Sequence, residues 1–366
     1  MKILVLNVIM YTPENGIIPQ VTSLKDTVIY NFCKGLLKNG HTVTLCVAEE
    51  YKPIKEENYE FEVIFFKSKL QKLFKPSLLP YSPDLRTYIK NYNKEFDIII
   101  SKDIFQFPSL FAAKICPEKT ILWTEAAAHK RLLFKLPSKF WHSIIFKPYF
   151  NKVNAIVAQS EPAKIFTKKY SNKVSEEIVG FGINLDVFEI AENKKRQLIS
   201  SSQLIQRKNV YGVIRAFADF HKIEKYKDIK LYIAGRGEEE QNLRELVQAL
   251  NLTDVVIFLG FLSHAELCNY ISESLVFFLN TRREMNGVSV SEAIAAGTPV
   301  LTTENLNLAQ FINENGVGIA KNDWNINDII TIIENNNTFV KNCLKYRKEF
   351  SIESIAEKLI SLCKTR

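Results

Sequence analysis

Two carboxylates and a turn-forming glycine carry the most specific chemistry in the sequence. They lie in the stretch Arg283-Glu284-Met285-Asn286-Gly287-Val288-Ser289-Val290-Ser291-Glu292-Ala293-Ile294-Ala295-Ala296-Gly297-Thr298-Pro299-Val300. An apolar run at 276–279 precedes it, so the order reads strand, polar loop, glycine, helix, Gly-Thr-Pro, strand. A loop of this kind sits at the carboxyl edge of a parallel sheet, and the helix that follows presents unpaired amides with a partial positive charge. A diphosphate is the natural occupant of such a place. Glu284 precedes the helix and Glu292 lies about one turn inside it, so a ligand across the helix start could offer different hydroxyls to each carboxylate. Sugar and ribose hydroxyls suit both.

The elements that must hold these residues follow an α/β rhythm, in which short apolar strands alternate with helical patterns. In the first half the expected strands are 3–8, 42–47, 62–66, 97–101, 120–124 and 155–159, with a helix over 23–39 closed by Gly40. A second series covers 197–201, 230–234, 255–259, 276–279, 299–302 and 318–320. The spacing of Leu344, Phe350, Ile355 and Leu359 predicts a helix within 341–363 that could cross back to the first domain. The expected division is a first domain over 1–180, a second over 181–345 and a terminal helix over 346–366, with a hinge near 181–195.

Two glutamates separated by seven residues and followed by Ala-x-Ala-x-Gly-x-Pro-Val form a signature, and here the chain resembles family 4 of the retaining glycosyltransferases. The resemblance implies a GT-B fold, two Rossmann-like domains facing each other across a cleft. It places Glu284 near the donor sugar, the amides around Asn286, Gly287, Val288 and Ser289 near sugar and phosphates, and Glu292 on the ribose. The stretch Leu204-Ile205-Gln206-Arg207-Lys208-Asn209-Val210 resembles the family's basic loop, in which an arginine and a lysine grip the diphosphate. Lys208 matches that lysine. Gln203 stands where the family arginine is usual, a departure for which Arg207 is the available compensation. Such a clamp matters because cleavage builds charge on the leaving diphosphate, and each strong preorganised donor contributes roughly 3 to 4 kcal/mol. Gly235-Arg236-Gly237 resembles the family's Gly-x-Gly loop, and the strand end at Gly260-Phe261-Leu262 resembles the one that touches the nucleotide base. An ordinary turn explains the first stretch equally well, and Phe261 and Leu262 are more often core than base-stacking residues. No resident cofactor is implied: a UDP- or GDP-linked sugar is a co-substrate, and the expected enzyme is a metal-independent hexosyltransferase.

The resemblance is looser in the first half. Asn15-Gly16 lies where the family has a glycine-rich loop near the donor phosphate, with a plain turn as the rival reading. Glu125 and His129 occupy the region of the family's cleft histidine, and either could face the donor sugar or belong to a surface loop.

The net charge of +8 is uneven. Residues 1–180 hold 26 Lys and Arg against 17 Asp and Glu, or +9, which leaves −1 for the remainder and points the first half toward anionic partners. Within 129–152, Lys130, Arg131, Lys135, Lys139, Lys147 and Lys152 mix with Phe134, Phe140, Trp141, Phe146, Tyr149 and Phe150, and no acidic residue is present. That mixture suits an anionic membrane surface or a lipid-linked acceptor; a helix burying its aromatics against a sheet suits it equally. No nucleic-acid motif accompanies the charge. No run is long and apolar enough to span a bilayer, and six scattered cysteines read as buried thiols of a reducing compartment. The expected setting is cytoplasmic, at the inner face of the cell membrane, in cell-surface polysaccharide or lipopolysaccharide assembly. The alternatives are a nucleotide-sugar epimerase, a sugar phosphorylase, or a non-catalytic partner of an active transferase.

Overall fold

The structure, a computed structural model, describes residues 1–10, 18, 21–129, 135–282, 284 and 287–363. Its chain divides into two compact units, Met1–Gly182 with Ile352–Arg366, and Ile183–Ser351. Each is a parallel α/β unit.

In the first unit the strands are β1 (Lys2–Leu6), β2 (Thr42–Ala48), β3 (Glu62–Phe66), β4 (Ile98–Lys102), β5 (Thr120–Thr124), β6 (Ala155–Ala158) and β7 (Val174–Ile178). They pair in the order β3-β2-β1-β4-β5-β6-β7. β1 is the pivot: Ile3 lies beside Val43 on one side and beside Ile98 on the other. Its Ile3, Leu4, Val5 and Leu6 are fully buried, as a strand covered by helices on both faces requires. β7 escapes the sequence pattern because Val-Ser-Glu-Glu-Ile is an edge strand with exposed polar residues and little alternation.

The helix Val28–Lys38 begins later than its apolar pattern suggests, because Thr27 is the cap and its Oγ1 accepts from the Tyr30 amide at 3.3 Å. It packs on the last helix, Ile352–Ser361, and Gly35 is what allows the approach: a Cβ there would stand 2.3 Å from the Ile352 carbonyl oxygen. The apolar pattern read across 341–363 is therefore two helices, Asn336–Tyr346 in the second unit and Ile352–Ser361 in the first. Between them the Ile183 amide donates to the Phe350 carbonyl at 2.7 Å, which pins the break.

The second unit holds β8 (Gln197–Ser201), β9 (Lys230–Ala234), β10 (Val256–Gly260), β11 (Val276–Leu279), β12 (Val300–Thr302) and β13 (Gly318–Ala320), ordered β10-β9-β8-β11-β12-β13. In both sheets the strand order reverses next to the first strand, between β1 and β4 and between β8 and β11. Loops diverge there, and such a switch point opens a crevice at the carboxyl edge of the sheet.

The loops after β8, β9 and β10 are laced together by backbone bonds: Ser202 to Ala234, Leu204 to Arg236 and Gly235 to Gly260, at 3.2, 2.9 and 2.7 Å. Gly235 sits at φ +127, and a Cβ on it would lie 1.9 Å from the Ser202 carbonyl oxygen. Gly235→Ala is therefore expected to destabilise the second unit by at least the ~1–3 kcal/mol of a strained backbone. Urea unfolding of the full chain with a lowered midpoint checks this, and an unchanged midpoint would show that the three loops do not need this glycine.

Candidate functional site

The second unit's switch point gathers the residues singled out above. β8 ends at Ser201 and the chain turns through Gln206–Lys208 into the helix Val210–His221, with Asn209 at φ +48 making the left-handed step. β11 ends at Leu279, and its loop is stitched to the first one: the Arg282 amide donates to the Arg207 carbonyl at 2.9 Å. The Glu284 amide in turn donates to the Asn305 carbonyl at 3.3 Å. The two loops thereby bring Lys208 and Glu284 together, 76 positions apart in sequence. The Lys208 ammonium donates to Glu284 Oε2, and Arg207 Nη1 lies 3.4 Å from the same oxygen. Both members of the Lys208–Glu284 pair are mostly buried, at 12% and 17% exposure, whereas the Arg207 side chain is 43% exposed.

Gly287, at φ +50, caps the helix Val288–Ala295, and a Cβ there would collide with the Leu306 side chain at 2.3 Å. The left-handed step turns the chain from the Glu284 loop into the helix without a side chain in the way. Val288 and Ser289, in the first turn, are partly exposed, and the amides of this turn are the donors an anion could use. Glu292, further along, pairs with His264, a residue the sequence reading passed over. Gln203 and Arg236 are exposed in their loops and Leu262 is partly exposed. Phe261 departs from the core reading: its side chain is 75% exposed just beyond β10, because Gly260, at φ +68, turns the chain outward. Asn286 and Gly16 lie outside the described residues. Among those described, no group of three His, Cys, Asp or Glu side chains could hold a metal ion.

At the first unit's switch point a cavity of about 470 Å³ opens, lined by Asn7 and Met10 after β1, Lys102 and Asp103 at β4, Gln106 and Glu125. Lys102 is partly exposed along its stem, yet its ammonium nitrogen touches no solvent and has no hydrogen-bond partner among the described residues. It lies 4.7 Å from the centre of the Trp123 ring and 4.4 Å from that of Phe181. Burial pulls its pKa down to about 8, with Glu125 and Asp103 pulling upward. Asp103 is itself satisfied, accepting from Thr124 Oγ1 at 2.9 Å. No spacing motif flags Lys102; its only signal is a polar Ser-Lys-Asp closing an isoleucine run.

Glu125 and His129 part company. Glu125 lines that cavity, whereas His129 Nε2 bonds Tyr170 Oη at 2.9 Å and its Nδ1 lies 3.2 Å from Ser138 Oγ. Burial, then the nearby Lys139 and Lys135, depress the His129 pKa. Its ring sits in an aromatic cluster with His142, Phe166 and Tyr170.

The segment read as a basic aromatic surface is divided. Trp141, Phe146 and Phe150 are core residues, packed with Ile104, Phe105 and Leu122. Leu136, Phe140 and Ile144 recur at four-residue spacing and are each more than half exposed, with Lys135, Lys139 and Lys147 exposed beside them. No helix of the described residues is long and apolar enough to cross a membrane.

Comparison with known proteins gives these sites a setting. The profile described as Glycosyltransferase Family 4 matches residues 26–186, and the one described as Glycosyl transferases group 1 matches residues 184–356. An alpha-monoglucosyldiacylglycerol synthase of Streptococcus pneumoniae is 28% identical over 190 residues, 48% of this chain. The chain spans less than half the length of that relative, 43%. An uncharacterized glycosyltransferase of Haemophilus influenzae is 23% identical over 344 residues, 91% of this chain and 94% of that one. Among solved structures, the Anabaena protein HepE in complex with UDP-glucose superposes with a TM-score of 0.61 at 14% identity, covering 99% of this chain and 98% of that one. Two parallel switch-point sheets and two adjoining profile matches lead to one assignment: the chain belongs to the family 4 glycosyltransferases of GT-B fold.

Proposed function

We propose that the protein is a retaining, metal-independent glycosyltransferase that moves a sugar from a UDP- or GDP-linked donor to a hydroxyl of a glycan or lipid-linked acceptor, in cell-surface polysaccharide or glycolipid assembly. The observation that carries this reading is the mostly buried Lys208–Glu284 pair beside the helix that Gly287 starts. A lysine, an arginine and a helix amino end on one crevice form a diphosphate site. The carboxylate that holds the lysine becomes a sugar ligand once phosphate oxygens take its place. The exposed Phe261 ring is a stacking face for the base.

In the transfer, the bond from the anomeric carbon to the β-phosphate oxygen lengthens and its electron pair leaves with the diphosphate. The acceptor oxygen bonds the same carbon from the same face, and its proton passes to the departing phosphate oxygen. No side-chain nucleophile is needed; Lys208 and the helix amides stabilise the charge that develops. The first-unit cavity is the acceptor site in this reading, where the Lys102 ammonium, which has no hydrogen-bond partner among the described residues, donates to an acceptor hydroxyl oxygen.

The test is a thermal-shift and hydrolysis screen with UDP-, GDP- and ADP-sugars in EDTA, comparing the protein with Lys102→Met. One donor is expected to stabilise the chain and be slowly hydrolysed by both forms, while transfer to acceptor falls only in the variant. No stabilisation by any nucleotide would favour the non-catalytic partner, and a requirement for added metal would end metal independence. Equal transfer by both forms would remove Lys102 from the acceptor site.

The exposed Leu136, Phe140 and Ile144 row with its lysines is proposed to rest on the inner, anionic face of the cell membrane, apolar side chains in the headgroup boundary and ammonium groups on the phosphates. Vesicles of phosphatidylglycerol and phosphatidylcholine should sediment the protein, and replacing the three apolar residues by serine should release at least tenfold of that binding. Unchanged sedimentation would move the membrane contact elsewhere.

A further inference from the structure

Beyond the residues already assigned, the pairing of His264 with Glu292 stands out for how thoroughly it is built. His264 opens the helix His264–Glu273, whose start is locked by a reciprocal cap: Ser263 Oγ accepts from the Glu266 amide at 3.4 Å, and Glu266 Oε2 accepts from the Ser263 amide at 2.9 Å. The imidazole therefore projects from a fixed backbone position. Its Nε2–H donates to Glu292 Oε1 at 2.9 Å. Phe188, itself buried, meets the ring edge-on at 6.1 Å and 83°. Cys268 Sγ, one turn along the same helix, lies 3.9 Å from both ring nitrogens. Among the described residues, His264 is the only side chain within hydrogen-bond distance of the Glu292 carboxylate.

The burial of the two partners is unequal. Glu292 is 14% exposed and His264 51%, so the histidine reaches from the surface onto a carboxylate that has lost most of its water. A carboxylate in that position requires a donor, and a free one turns about its last torsion. Contact with Cys268 and the bond to Glu292 both favour the protonated ring and hold its pKa up at about 10, against the burial that lowers it. The pair is accordingly an ion pair at neutral pH, in which the carboxylate can only accept.

We propose that His264 is a positioning residue for nucleotide recognition: by holding Oε1 it fixes the Glu292 carboxylate and leaves Oε2 to accept from the vicinal hydroxyls of the donor's ribose. This rests on the reading of Glu292 as the ribose ligand. Direct contact of the imidazole with the nucleotide is not required. The role differs from that of Lys208, whose carboxylate partner must be displaced for donor binding, since the His264–Glu292 bond persists in the complex. Preorganisation of this sort acts on affinity by removing a torsion that binding would otherwise have to freeze.

The experiment measures binding of UDP and GDP, each beside its 2′,3′-dideoxy counterpart, to the full chain by calorimetry. The proteins are the unmodified chain, His264→Ala, His264→Gln, Glu292→Ala and the double alanine variant. For whichever nucleotide binds, His264→Ala is expected to weaken it about fivefold while leaving its dideoxy counterpart unchanged. His264→Gln, whose amide still donates, should recover most of the loss, and the double variant should be no worse than Glu292→Ala alone. Equal weakening of nucleotide and dideoxynucleotide by His264→Ala would mean a merely structural histidine and would overturn the proposal. So would a Glu292→Ala variant that loses ribose discrimination while His264→Ala keeps all of it. If Glu292→Ala itself retains the discrimination, or neither nucleotide binds, the ribose reading of Glu292 falls first and takes the positioning role with it.

Discussion

Glu284→Gln is expected to cut turnover roughly 10²-fold while the nucleoside diphosphate binds about fivefold more tightly. The opposing signs follow from the ion pair in which Glu284 Oε2 holds the Lys208 ammonium. A diphosphate must take that ammonium away from a mostly buried carboxylate. Glutamine keeps the shape and one acceptor oxygen but gives up the charge, so the competition weakens by ~1 kcal/mol, the upper range for a partly accessible pair. Turnover moves the other way, because the carboxylate is then missing from the sugar side of the transition state. Calorimetry with UDP or GDP and steady-state rates on the same preparation check the two halves. A variant that binds the diphosphate less tightly would show that Glu284 assists phosphate binding instead of competing with it.

Lys208→Ala carries the other large effect. The leaving diphosphate gains charge as the anomeric bond breaks, so an ammonium aimed at it is worth more in the transition state than in the ground state. The expected result is a 10²–10³-fold fall in kcat, equivalent to about 3–4 kcal/mol, with donor KM changed less than tenfold. Arg207 does not replace it: its side chain is 43% exposed, with Nη1 3.4 Å from Glu284, and works through a screened contact. Because Lys208 and Glu284 touch, their combined replacement should cost less than the sum of the two. An unchanged kcat would strip Lys208 of the leaving-group role, and a matching rise in KM alone would reduce it to a uniform binding contact.

What the sequence disclosed and what it concealed follow from the range of the forces involved. Buried strands such as Thr120–Thr124 and Val276–Leu279 are legible because continuous apolar runs have few other places to go. Val174–Ile178 is not, since an edge strand is held by backbone bonds that leave no mark on its side chains. Glu284, Gly287 and Glu292 share one local stretch and could be read together. Lys208 was nameable through its own loop, but its bond to Glu284 depends on two loops 76 positions apart being tied at Arg207 and Arg282. His264 left no local pattern, and Lys102 only the polar close of an isoleucine run. Their roles arise from neighbours on other elements, Glu292 and Phe188 for the first, Trp123 and Phe181 for the second. The aromatics of 134–150 show the converse limit, since composition alone does not tell the buried Trp141 and Phe146 from the exposed Phe140.

The return of the chain at Ile352 has a consequence for biosynthesis. Ile355, Ala356 and Leu359 complete the core of the first unit, so that unit is split in sequence with the whole of the second inserted into it. Emerging from the ribosome, the first 182 residues lack one wall of their core until the last helix has been synthesised, while the second unit has all its residues once Ser351 is out. The later-made half is thus the one able to finish folding first. A nascent chain stalled before residue 352 should hold a protease-resistant second unit and a first unit still open to cleavage. The same nesting makes Ile352–Ser361 a poor segment to cut away, since losing its turns removes core from strands far away in sequence, such as those of Ile3 and Val43.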